Sequence, residues 1–409
     1  MDHLIKHIER TQVGIVGAGP AGLLLAHLLY LHGIESIVLE SRSRARVESR
    51  TRAGQLEPAT VQVLSQAGVG AHLHMHGMPQ PGVLFHYKGQ TQRLDLQKLT
   101  GRGVMIYGQR ELVRDLIQAR LAVNGAIVFD VSQVAIHDVD TDGPSLSFQH
   151  DHQEHRLRCD FIAGCDGYHG VCRPAITHAL STFECRHPVG WLGILAEASP
   201  IAHEVLYSCH DRGLALFSMR SPQISRLYLQ CAPDENLEQW SDERIWNELR
   251  LRLDARGSEL RDGPILERSV VGMRSFVTEP MQHGRLFLAG DAAHIVPPSA
   301  AKGLNLAVGD VCLLASALER FYAGNDEQAL REYSHNALSR IWEGQRFSQR
   351  MTALLHTVVG GTPFDRRVQL ADLDRMFRSD AAAVSFADAY VGRAFDGYPR
   401  DVHGTALFG

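Results

Sequence analysis

Short apolar runs alternate with longer ones at the start of the chain. Residues 12–16 form a β-rich run, residues 20–32 are almost entirely apolar, and residues 36–40 form a second short run that ends in an acid. Short runs of this kind predict buried strands, and the longer one predicts a helix. The pattern therefore predicts a β-α-β unit over residues 12–40.

Further runs divide the rest of the chain into three parts. We predict a helix at 58–68, strands within 83–96, a β-α-β passage at 105–130, and strands near 145–148 and 159–166. Four short runs between 190 and 230 predict an antiparallel sheet. A strand at 285–291 follows it, and residues from 303 onward are mostly helical, apart from a break at 360–363 and a tail after 390. We therefore predict an α/β fold whose first domain is discontinuous in sequence.

A glycine-rich loop lies between the first strand and the first helix. It reads Gly17-Ala-Gly19-Pro-Ala21-Gly22. Glycines at these positions permit a tight turn, close approach of the backbone to a pyrophosphate, and close packing of helix on strand. Glu40, at the end of the second strand, has the spacing of a carboxylate that binds an adenosine ribose. The unit is typical of dinucleotide binding.

Length and charge limit the class of protein. The chain has 409 residues, 44% of them hydrophobic and 21% charged, and a formal net charge of −5. This length favours more than one domain, and the dispersed basic residues give no indication of a nucleic-acid partner. The first ten residues lack an apolar signal core, and no later stretch is apolar enough to span a bilayer. We expect a cytoplasmic protein with no membrane partner.

Cysteine and histidine usage indicates neither disulfides nor metal. The seven cysteines are scattered and form no CxxC pair, so we expect reduced thiols. His72, His74 and His76 alternate, but no acids or cysteines accompany them, and alternation on a strand or loop is more often a solvated surface. We expect no metal site.

The sequence resembles the flavoprotein aromatic hydroxylases over nearly its whole length. The resemblance is carried by the blocks 16–22, 50–54, 107–109, 162–170, 274–277, 279–298 and 302–305. It implies an FAD-binding Rossmann-like domain of the glutathione-reductase type at 1–182, completed by 270–300. It also implies a substrate-binding β-sheet domain at 183–269, a helical interface region at 301–409, and a homodimer.

The resemblance implies a set of FAD-binding residues. Asp291 would bind the ribityl chain, and the backbone N–H groups of Leu304 and Asn305, at a helix start, would stabilise the anionic reduced ring. The full set consists of Gly17, Gly19, Ala21, Gly22, Glu40, Arg50, Arg52, Ala53, Gly54, Gln55, Gln109, Asp166, Asp291, Lys302, Leu304 and Asn305. Taken alone, Arg50 and Lys302 are more typical of a surface ion pair or a helix cap.

The substrate site is expected on the sheet. Ser218 and Arg220 are two residues apart, so on a strand they share a face, and an arginine fork suits a carboxylate. Alone, such a segment is more often an exposed face. The resemblance adds Tyr228 as a third donor and implies a 4-hydroxybenzoate substrate.

The other end of that substrate is a phenol. An electrophilic oxygen attacks a phenolate far more readily than a phenol, whose pKa is about 10, so the site must remove the proton. The resemblance implies that Tyr207 binds the substrate hydroxyl, that Tyr390 extends the proton path outward, and that the Pro298 carbonyl contacts the same hydroxyl. A buried tyrosine on its own is usually a satisfied core residue.

Reducing equivalents would come from a nicotinamide cofactor. The sequence has no second glycine-rich fingerprint, which agrees with the resemblance. The resemblance implies contacts from His169 and Arg274, and cofactor selection by a segment that contains Arg42 and Arg46. These arginines favour NADPH, with NADH left open, although a solvated basic turn is nearly as good an interpretation. Arg226 corresponds to a residue linked to flavin movement.

Three positions depart from the family pattern. Gln80 stands where the proton path of relatives ends in histidine, and glutamine cannot titrate. Ala300 replaces a glycine, which restricts the backbone there. Gln55 occupies a position that is often apolar.

Taken with the residues above, the resemblance implies an FAD-dependent monooxygenase that hydroxylates 4-hydroxybenzoate to 3,4-dihydroxybenzoate with NAD(P)H and O2, through a flavin C4a-hydroperoxide. Two alternatives stay open at this point. One is a hydroxylase of a related substituted benzoate, and the other is a flavin-binding sensor without catalysis.

Overall fold

The computed structural model describes residues 9–50, 54–253 and 260–395. Two residues of the predicted FAD set, Arg52 and Ala53, lie outside the described residues, as does the chain from 396 onward. The structure has mixed α/β architecture with two large sheets, one small sheet and a helical C-terminal part.

Nineteen strands lie within the described ranges. They are β1 (Arg10–Val16), β2 (Ser36–Leu39), β3 (Gln55–Leu56), β4 (Met78–Gln80), β5 (Gly82–Tyr87), β6 (Gln90–Asp95), β7 (Val104–Ile106), β8 (Ile127–Val128), β9 (Ser132–His137), β10 (Ser145–His150), β11 (Gln153–Gly164), β12 (Ser181–Ala196), β13 (Leu206–His210), β14 (Gly213–Met219), β15 (Ser225–Cys231), β16 (Ile265–Glu279), β17 (Gln282–His283), β18 (Leu286–Leu288) and β19 (His294–Ile295).

Twelve α-helices lie in the same ranges. They are α1 (Pro20–Leu31), α2 (Arg44–Ser49), α3 (Pro58–Gln66), α4 (Ala71–His76), α5 (Leu96–Thr100), α6 (Gln109–Ala122), α7 (Cys172–Ala175), α8 (Asp242–Leu253), α9 (Gly303–Gly324), α10 (Gln328–Leu355), α11 (Pro363–Arg378) and α12 (Asp380–Val391). Short 3-10 turns cover Gly290–Ala292 and Pro298–Ala300.

The first sheet has a parallel centre with the order β18-β11-β1-β2-β8. Its strands are mostly apolar because both faces are covered. α1 packs against α6 and α9, and Leu146 of β10 lies over Gly14 of β1. The carboxyl ends of β1, β2 and β11 meet at one edge, where ligands bind in open parallel sheets. β18 comes from a distant part of the chain and completes this sheet.

The second sheet is largely antiparallel, with the order β19-β16-β12-β15-β14-β13-β5-β6. Its two faces bury different cores. Alternate residues such as Phe217 and Leu227 pack against α8, while Leu216 and Tyr228 pack toward the C-terminal helices α10 and α12. The substrate site predicted from the sequence lies on the second of these faces.

Two long strands join the sheets. β12 and β16 pair antiparallel from Ser181↔Glu279 to Ala196↔Ile265, with register shifts between Arg186 and Gly190 and next to Ala196. The predicted boundaries at 182/183 and 269/270 fall inside this ribbon. The predicted range 1–182 also contains the hairpin 82–95, whose strand β5 pairs with β13 of the second sheet.

The secondary structure at the alternating histidines differs from the strand or loop considered in the sequence analysis. His72, His74 and His76 lie on the short helix α4, not on a strand or loop, so a spacing of two does not place them on one side. Within the described ranges, no group of three or more metal-ligating side chains has the arrangement of a metal site.

All seven cysteines are free. Burial raises the pKa of the Cys159 and Cys209 thiols to about 12, so both are inert at neutral pH. Among the helices that the structure describes, none is both long and apolar enough to cross a bilayer.

Candidate active site

The glycine-rich loop forms a tight seat between β1 and α1. Gly17 has φ of +106°, and a Cβ there would lie 2.4 Å from the Cys165 carbonyl oxygen. A Cβ on Gly22 would lie 2.0 Å from the Gly17 carbonyl oxygen, so both positions require glycine. By contrast, no described atom lies within 4 Å of a Cβ built on Gly19. The loop is tightly packed at Gly17 and Gly22 and open at Gly19, where a phosphate can approach.

The first turn of α1 is available to an anion. Gly19 caps the helix without a side-chain hydrogen bond, and neither Ala21 nor its neighbours in that turn are acidic. The first N–H groups of a helix have no partner within the helix, and the helix dipole adds partial positive charge there. This turn therefore fits a pyrophosphate.

Glu40 is held at the end of β2. Its carboxylate accepts hydrogen bonds from the backbone N–H groups of Ala18 at 2.7 Å and Arg42 at 2.9 Å. These bonds fix its position next to the glycine loop, where the sequence predicts a ribose contact.

Asn305 joins residues 55–60 to the segment before α9 through its side chain. Its Oδ1 accepts from the Glu57 N–H and the Thr60 hydroxyl, and its Nδ2 donates to the carbonyls of Gln55 and Ala301. Because the side chain is fully used, only the backbone N–H groups of Leu304 and Asn305, in the first turn of α9, can serve a ligand. No described side chain caps that turn.

Lys302 is buried in an ion pair. Its ammonium donates to the Glu57 carboxylate at 2.5 Å and to the Tyr390 carbonyl at 3.0 Å, and both charged side chains are almost fully buried. Lys302 therefore contributes a fixed positive charge next to the start of α9, partly balanced by Glu57. The alternative of a surface ion pair does not apply.

Asp310 of α9 anchors the turn before β19. Asp310 accepts from the Gly290 N–H at 2.9 Å and pairs with His294 at 2.6 Å, and all three residues are buried. Burial alone would lower the pKa of His294, but the Asp310 carboxylate outweighs it and raises that pKa. Asp310 thus fixes the turn that presents Asp291 relative to the first turn of α9.

Asp166 follows β11 and is largely buried. One carboxylate oxygen accepts from the Cys172 N–H at 2.9 Å, while the other is buried and has no hydrogen-bond partner among the described residues. Burial raises the pKa of Asp166. An unsatisfied buried oxygen is costly, so this atom fits a hydroxyl of a bound cofactor.

Gly54, Gln55 and Gln109 lie where β3 crosses the end of β7. A Cβ on Gly54 would lie 1.8 Å from the Tyr107 carbonyl oxygen, so glycine is required there. Gln109 begins α6, and Gln55 is buried with its side chain directed to Tyr390. Gln55 therefore contacts the predicted proton path rather than presenting its side chain to solvent.

A row of paired residues crosses the second sheet. Tyr207 pairs with Leu216, Leu216 with Tyr228, and Tyr228 with Gly193. Directly paired residues share a face, so Tyr207 and Tyr228 point to the same side, roughly 10 Å apart across two strand spacings. Ser218 is two residues from Leu216 and lies on that face too.

Arg220 lies just beyond the end of β14, and one nitrogen of its guanidinium is unsatisfied. Its Nη1 is buried and has no hydrogen-bond partner in the part of the chain that the structure describes. Burial lowers the pKa of Arg220; the nearby Tyr228 opposes this, and the like charge of Arg226 adds to it. A buried guanidinium nitrogen without an acceptor is costly, so the site fits an anion such as a carboxylate.

Tyr207 and Tyr390 meet in the core between the sheet and α12. Their hydroxyl oxygens are 3.4 Å apart, and Tyr390 donates to Gln55 Oε1 at 3.1 Å. Burial raises the pKa of Tyr390 to about 12 and raises the pKa of Tyr207 well above its ordinary value of 10. Both phenols are therefore protonated at neutral pH and can pass a proton only by exchange along hydrogen bonds.

The carbonyl nearest to Tyr207 is that of Ser299. It accepts the Tyr207 hydroxyl at 3.2 Å, while the Pro298 carbonyl accepts the Ala301 N–H at 3.0 Å. The left-handed residue of this segment is Ala301, with φ of +52°, rather than Ala300. The alanine at 300 lies in the 3-10 turn, where no glycine is required.

Gln80 uses both ends of its amide on the backbone. It donates to the His203 carbonyl at 2.8 Å and accepts from the Val205 N–H at 3.0 Å. It thereby fixes the start of β13, two residues before Tyr207. The position that carries histidine in relatives has a positioning contact here.

The residues predicted to contact a nicotinamide cofactor lie in two groups. Arg42 and Arg46 are exposed around α2, as is Arg50 at its end. His169 packs edge-on against the ring of Tyr168, and the Arg274 guanidinium lies 4.4 Å from that ring's centre. The structure thus brings His169 and Arg274 together around one aromatic side chain.

Several residues of this site carry no signal in the sequence. Glu57, Ser299 and Asp310 act through partners far away in the chain, and none belongs to a short motif. Glu57 offers a weak hint, because an acid directly before Pro58 is typical of a helix start.

The fold and the site together define a dinucleotide-binding enzyme of the flavoprotein type. A family model described as an FAD binding domain matches residues 10–348. The chain belongs to the flavoprotein aromatic hydroxylases and is an FAD-dependent enzyme of that family.

Known relatives agree with this family. The chain is 46% identical over 390 residues to p-hydroxybenzoate hydroxylase of Acinetobacter baylyi, covering 95% of this chain and 96% of the relative. It is 26% identical to 3-amino-4-hydroxybenzoate 2-monooxygenase of Streptomyces platensis, covering 85% and 89%. The crystal structure of p-nitrophenol 4-monooxygenase from Pseudomonas putida has the same fold, with a TM-score of 0.80, 20% identity, and coverage of 94% and 99%.

Proposed function

We propose that the protein hydroxylates 4-hydroxybenzoate at position 3. In the balanced reaction, 4-hydroxybenzoate, NADPH, O2 and a proton give 3,4-dihydroxybenzoate, NADP⁺ and water. The observation that carries the proposal is the 46% identity, over nearly the full length of both chains, to a p-hydroxybenzoate hydroxylase. The two polar ends of the pocket agree with a para-substituted acid.

One end of the pocket fits a carboxylate. Arg220 supplies a buried guanidinium whose Nη1 has no partner among the described residues, and Ser218 and Tyr228 supply hydroxyls from the sheet face next to it. Paired charge-assisted hydrogen bonds in a buried site fix both the position and the orientation of the ring. Gly193 leaves room for this arrangement, because a Cβ there would lie 2.9 Å from the Arg226 guanidinium.

The other end fits a phenol. Tyr207 would accept the hydrogen of the substrate hydroxyl, with Pro298 as a further neighbour, and Tyr390 would accept from Tyr207 in turn. The Gln55 amide oxygen can only accept, so Tyr390 donates to it. The Tyr390 oxygen then accepts from Tyr207 once the Tyr207 hydroxyl turns from the Ser299 carbonyl, its acceptor in this structure, toward Tyr390. This direction matches removal of the phenolic proton.

FAD supplies the activated oxygen when it is bound. The residues that would hold it are the loop of Gly17, Ala21 and Gly22, the carboxylates of Glu40, Asp166 and Asp291, and the first turn of α9. Lys302 would add positive charge to that turn. The open space at Gly19 and the unsatisfied oxygen of Asp166 support this assignment. Arg50, Gly54 and Gln109 complete the described part of the set.

NADPH is the proposed reductant. Arg42 and Arg46 are exposed and can reach a 2′-phosphate, and His169 and Arg274 flank Tyr168 as a second contact. Because NADPH is an intracellular reductant, we propose a cytoplasmic location.

A homodimer is part of the proposal. Three apolar side chains around the turn between α10 and α11 are more than half exposed: Val358, Val359 and Phe364. Monomeric proteins rarely leave neighbouring apolar side chains exposed in this way. A second copy of the chain is the proposed partner of this surface. Sedimentation of the holoenzyme tests it.

Turnover of the purified yellow protein tests the function. With 4-hydroxybenzoate, NADPH and air, we expect 3,4-dihydroxybenzoate in near-equal amount to the NADPH consumed. NADPH oxidation that yields mainly hydrogen peroxide would point to a different benzoate, and the same assay with 3-amino-4-hydroxybenzoate would then follow. A protein that binds FAD but oxidises no NADPH with either acid would be a sensor.

A further inference from the structure

The C-terminal end of α10 contacts a neighbour of each end of the proposed substrate site. Two residues there, Thr352 and His356, are buried and hydrogen-bonded to side chains of other elements. Neither residue belongs to a motif of the sequence.

His356 is held in one neutral form. Its Nδ1 lies 2.8 Å from the Thr352 carbonyl, and its Nε2 lies 2.7 Å from the indole Nε1 of Trp191. A carbonyl can only accept and an indole N–H can only donate, so Nδ1 carries the hydrogen and Nε2 accepts. Burial lowers the pKa of His356 to about 4, which agrees with this assignment.

Through Trp191, His356 reaches the carboxylate end of the pocket. The Trp191 ring packs on the ring of Tyr228, with 4.8 Å between ring centres. Trp191 is on β12, two residues before Gly193, which pairs with Tyr228. Trp191 thus lies on the same face as Tyr228, and its orientation is set by the bond to His356.

Through Ser299, Thr352 reaches the phenol end. The Thr352 hydroxyl donates to the Ser348 carbonyl at 2.8 Å, so it accepts from the Ser299 hydroxyl at 3.0 Å. The backbone carbonyl of the same Ser299 accepts the Tyr207 hydroxyl. One helical turn therefore orients a neighbour of each end of the pocket.

This turn is itself fixed by two glutamines. Gln230 of β15 exchanges hydrogen bonds with the backbone of Thr357, both at 3.0 Å. Gln369 of α11 donates to the carbonyls of Ala353 and His356. Fully satisfied buried networks of this kind hold one geometry.

We propose that His356 and Thr352 are positioning residues that set the distance between the two ends of the substrate pocket, His356 through Trp191 and Tyr228, and Thr352 through Ser299 and Tyr207. This inference rests on the proposed function. It assigns the selection of a para-substituted acid to a helix end that need not touch the acid.

His356→Phe tests the carboxylate end, because it keeps a ring but removes both hydrogen bonds. We expect the KM and the dissociation constant for 4-hydroxybenzoate to rise about 3- to 10-fold, the range for one lost neutral hydrogen bond, with kcat within about twofold. In the Trp191→Phe background the same change should add little, because its effect passes through the indole N–H. The assignment would be overturned if His356→Phe bound 4-hydroxybenzoate as tightly as wild type. It would also be overturned if the effects of His356→Phe and Trp191→Phe on binding were fully additive.

Thr352→Val tests the phenol end with a side chain of the same shape. We expect the fraction of NADPH that yields hydroxylated product to fall, with KM within about twofold. Tyr333→Phe is the matched control, because it removes a buried hydroxyl of the same helix that donates to the Leu288 carbonyl. It should lower stability alone. If Thr352→Val and wild type convert the same fraction of consumed NADPH into hydroxylated product, this half of the proposal is contradicted.

The wild-type protein separates the two levels of inference. If it binds 4-hydroxybenzoate but makes no product, the proposed function fails, and the dissociation constants of the variants still decide the role of His356. If it does not bind this acid, both fail together.

Discussion

The hydroxyl of Tyr390 donates to the side-chain oxygen of Gln55 at 3.1 Å, across 335 positions of the chain. Tyr390 is on α12 and Gln55 is on β3, and both are buried. Since the amide oxygen cannot take up a proton at neutral pH, it orients the pair of tyrosines without serving as the final base.

Replacing Gln55 with leucine should slow hydroxylation. The Tyr390 hydroxyl would lose its acceptor and turn toward Tyr207, which opposes transfer away from the substrate. We expect product formation to slow about 3- to 10-fold with an unchanged KM, in line with the loss of one hydrogen bond. Stopped-flow absorbance of the oxidative half-reaction measures this. A variant as fast as wild type would exclude an orienting role for Gln55.

Replacing Gln80 with histidine should add an ionisation that the wild type lacks. We expect flavin reduction in the wild type to show no step near the ordinary histidine pKa of about 6.5, and the variant to gain one. Rapid-reaction measurements between about pH 5 and 9 test this. A wild-type profile that already contains such a step would contradict the inference that Gln80 leaves the proton path without a histidine-like ionisation.

Replacing Arg220 with lysine should weaken substrate binding. Lysine keeps the charge but loses the planar fork, so we expect KM to rise at least about tenfold. Titration of the flavin absorbance with 4-hydroxybenzoate gives the dissociation constant. Arg212→Lys is the control, because Arg212 lies in the turn between β13 and β14 and its largely exposed guanidinium pairs with Glu248 of α8. A similar small effect in both variants would argue against Arg220 as the carboxylate ligand.

The buried pair of His294 and Asp310 predicts how stability depends on pH. Since the folded chain raises the pKa of His294 above its ordinary 6.5, it holds a proton that the unfolded chain releases. The stabilisation is complete below pH 6.5 and declines as pH rises through the folded pKa. Urea unfolding should therefore show the advantage of wild type over His294→Gln shrinking with rising pH. If the stability advantage of wild type over His294→Gln grows with pH, His294 is neutral in the folded protein.

The class of fold and the family followed from local features of the sequence and are confirmed. The glycine loop is an example, because Gly17 and Gly22 are required by contacts within a few residues or with a neighbouring strand. The antiparallel sheet was also predictable, since its strands are short apolar runs separated by turns.

The partners of buried polar residues could not be predicted in the same way. Lys302 and Glu57 are 245 positions apart, and His356 reaches Trp191 across 165. Neither pair has a characteristic spacing or a flanking motif in the sequence. The residues of each pair come together only when the helical part packs on both sheets. Gln55 was placed in the site from the sequence, but its contact with Tyr390 depends on this packing.

The place of β18 in the first sheet has a consequence for biosynthesis. The parallel centre of that sheet is complete only when residues 286–288 have left the ribosome, after the strands β12 to β16. Domains generally form as units during translation, from the N-terminus onward. Here the nascent chain can present a finished cofactor seat only after the whole substrate sheet has emerged, so cofactor capture should be a late event in maturation.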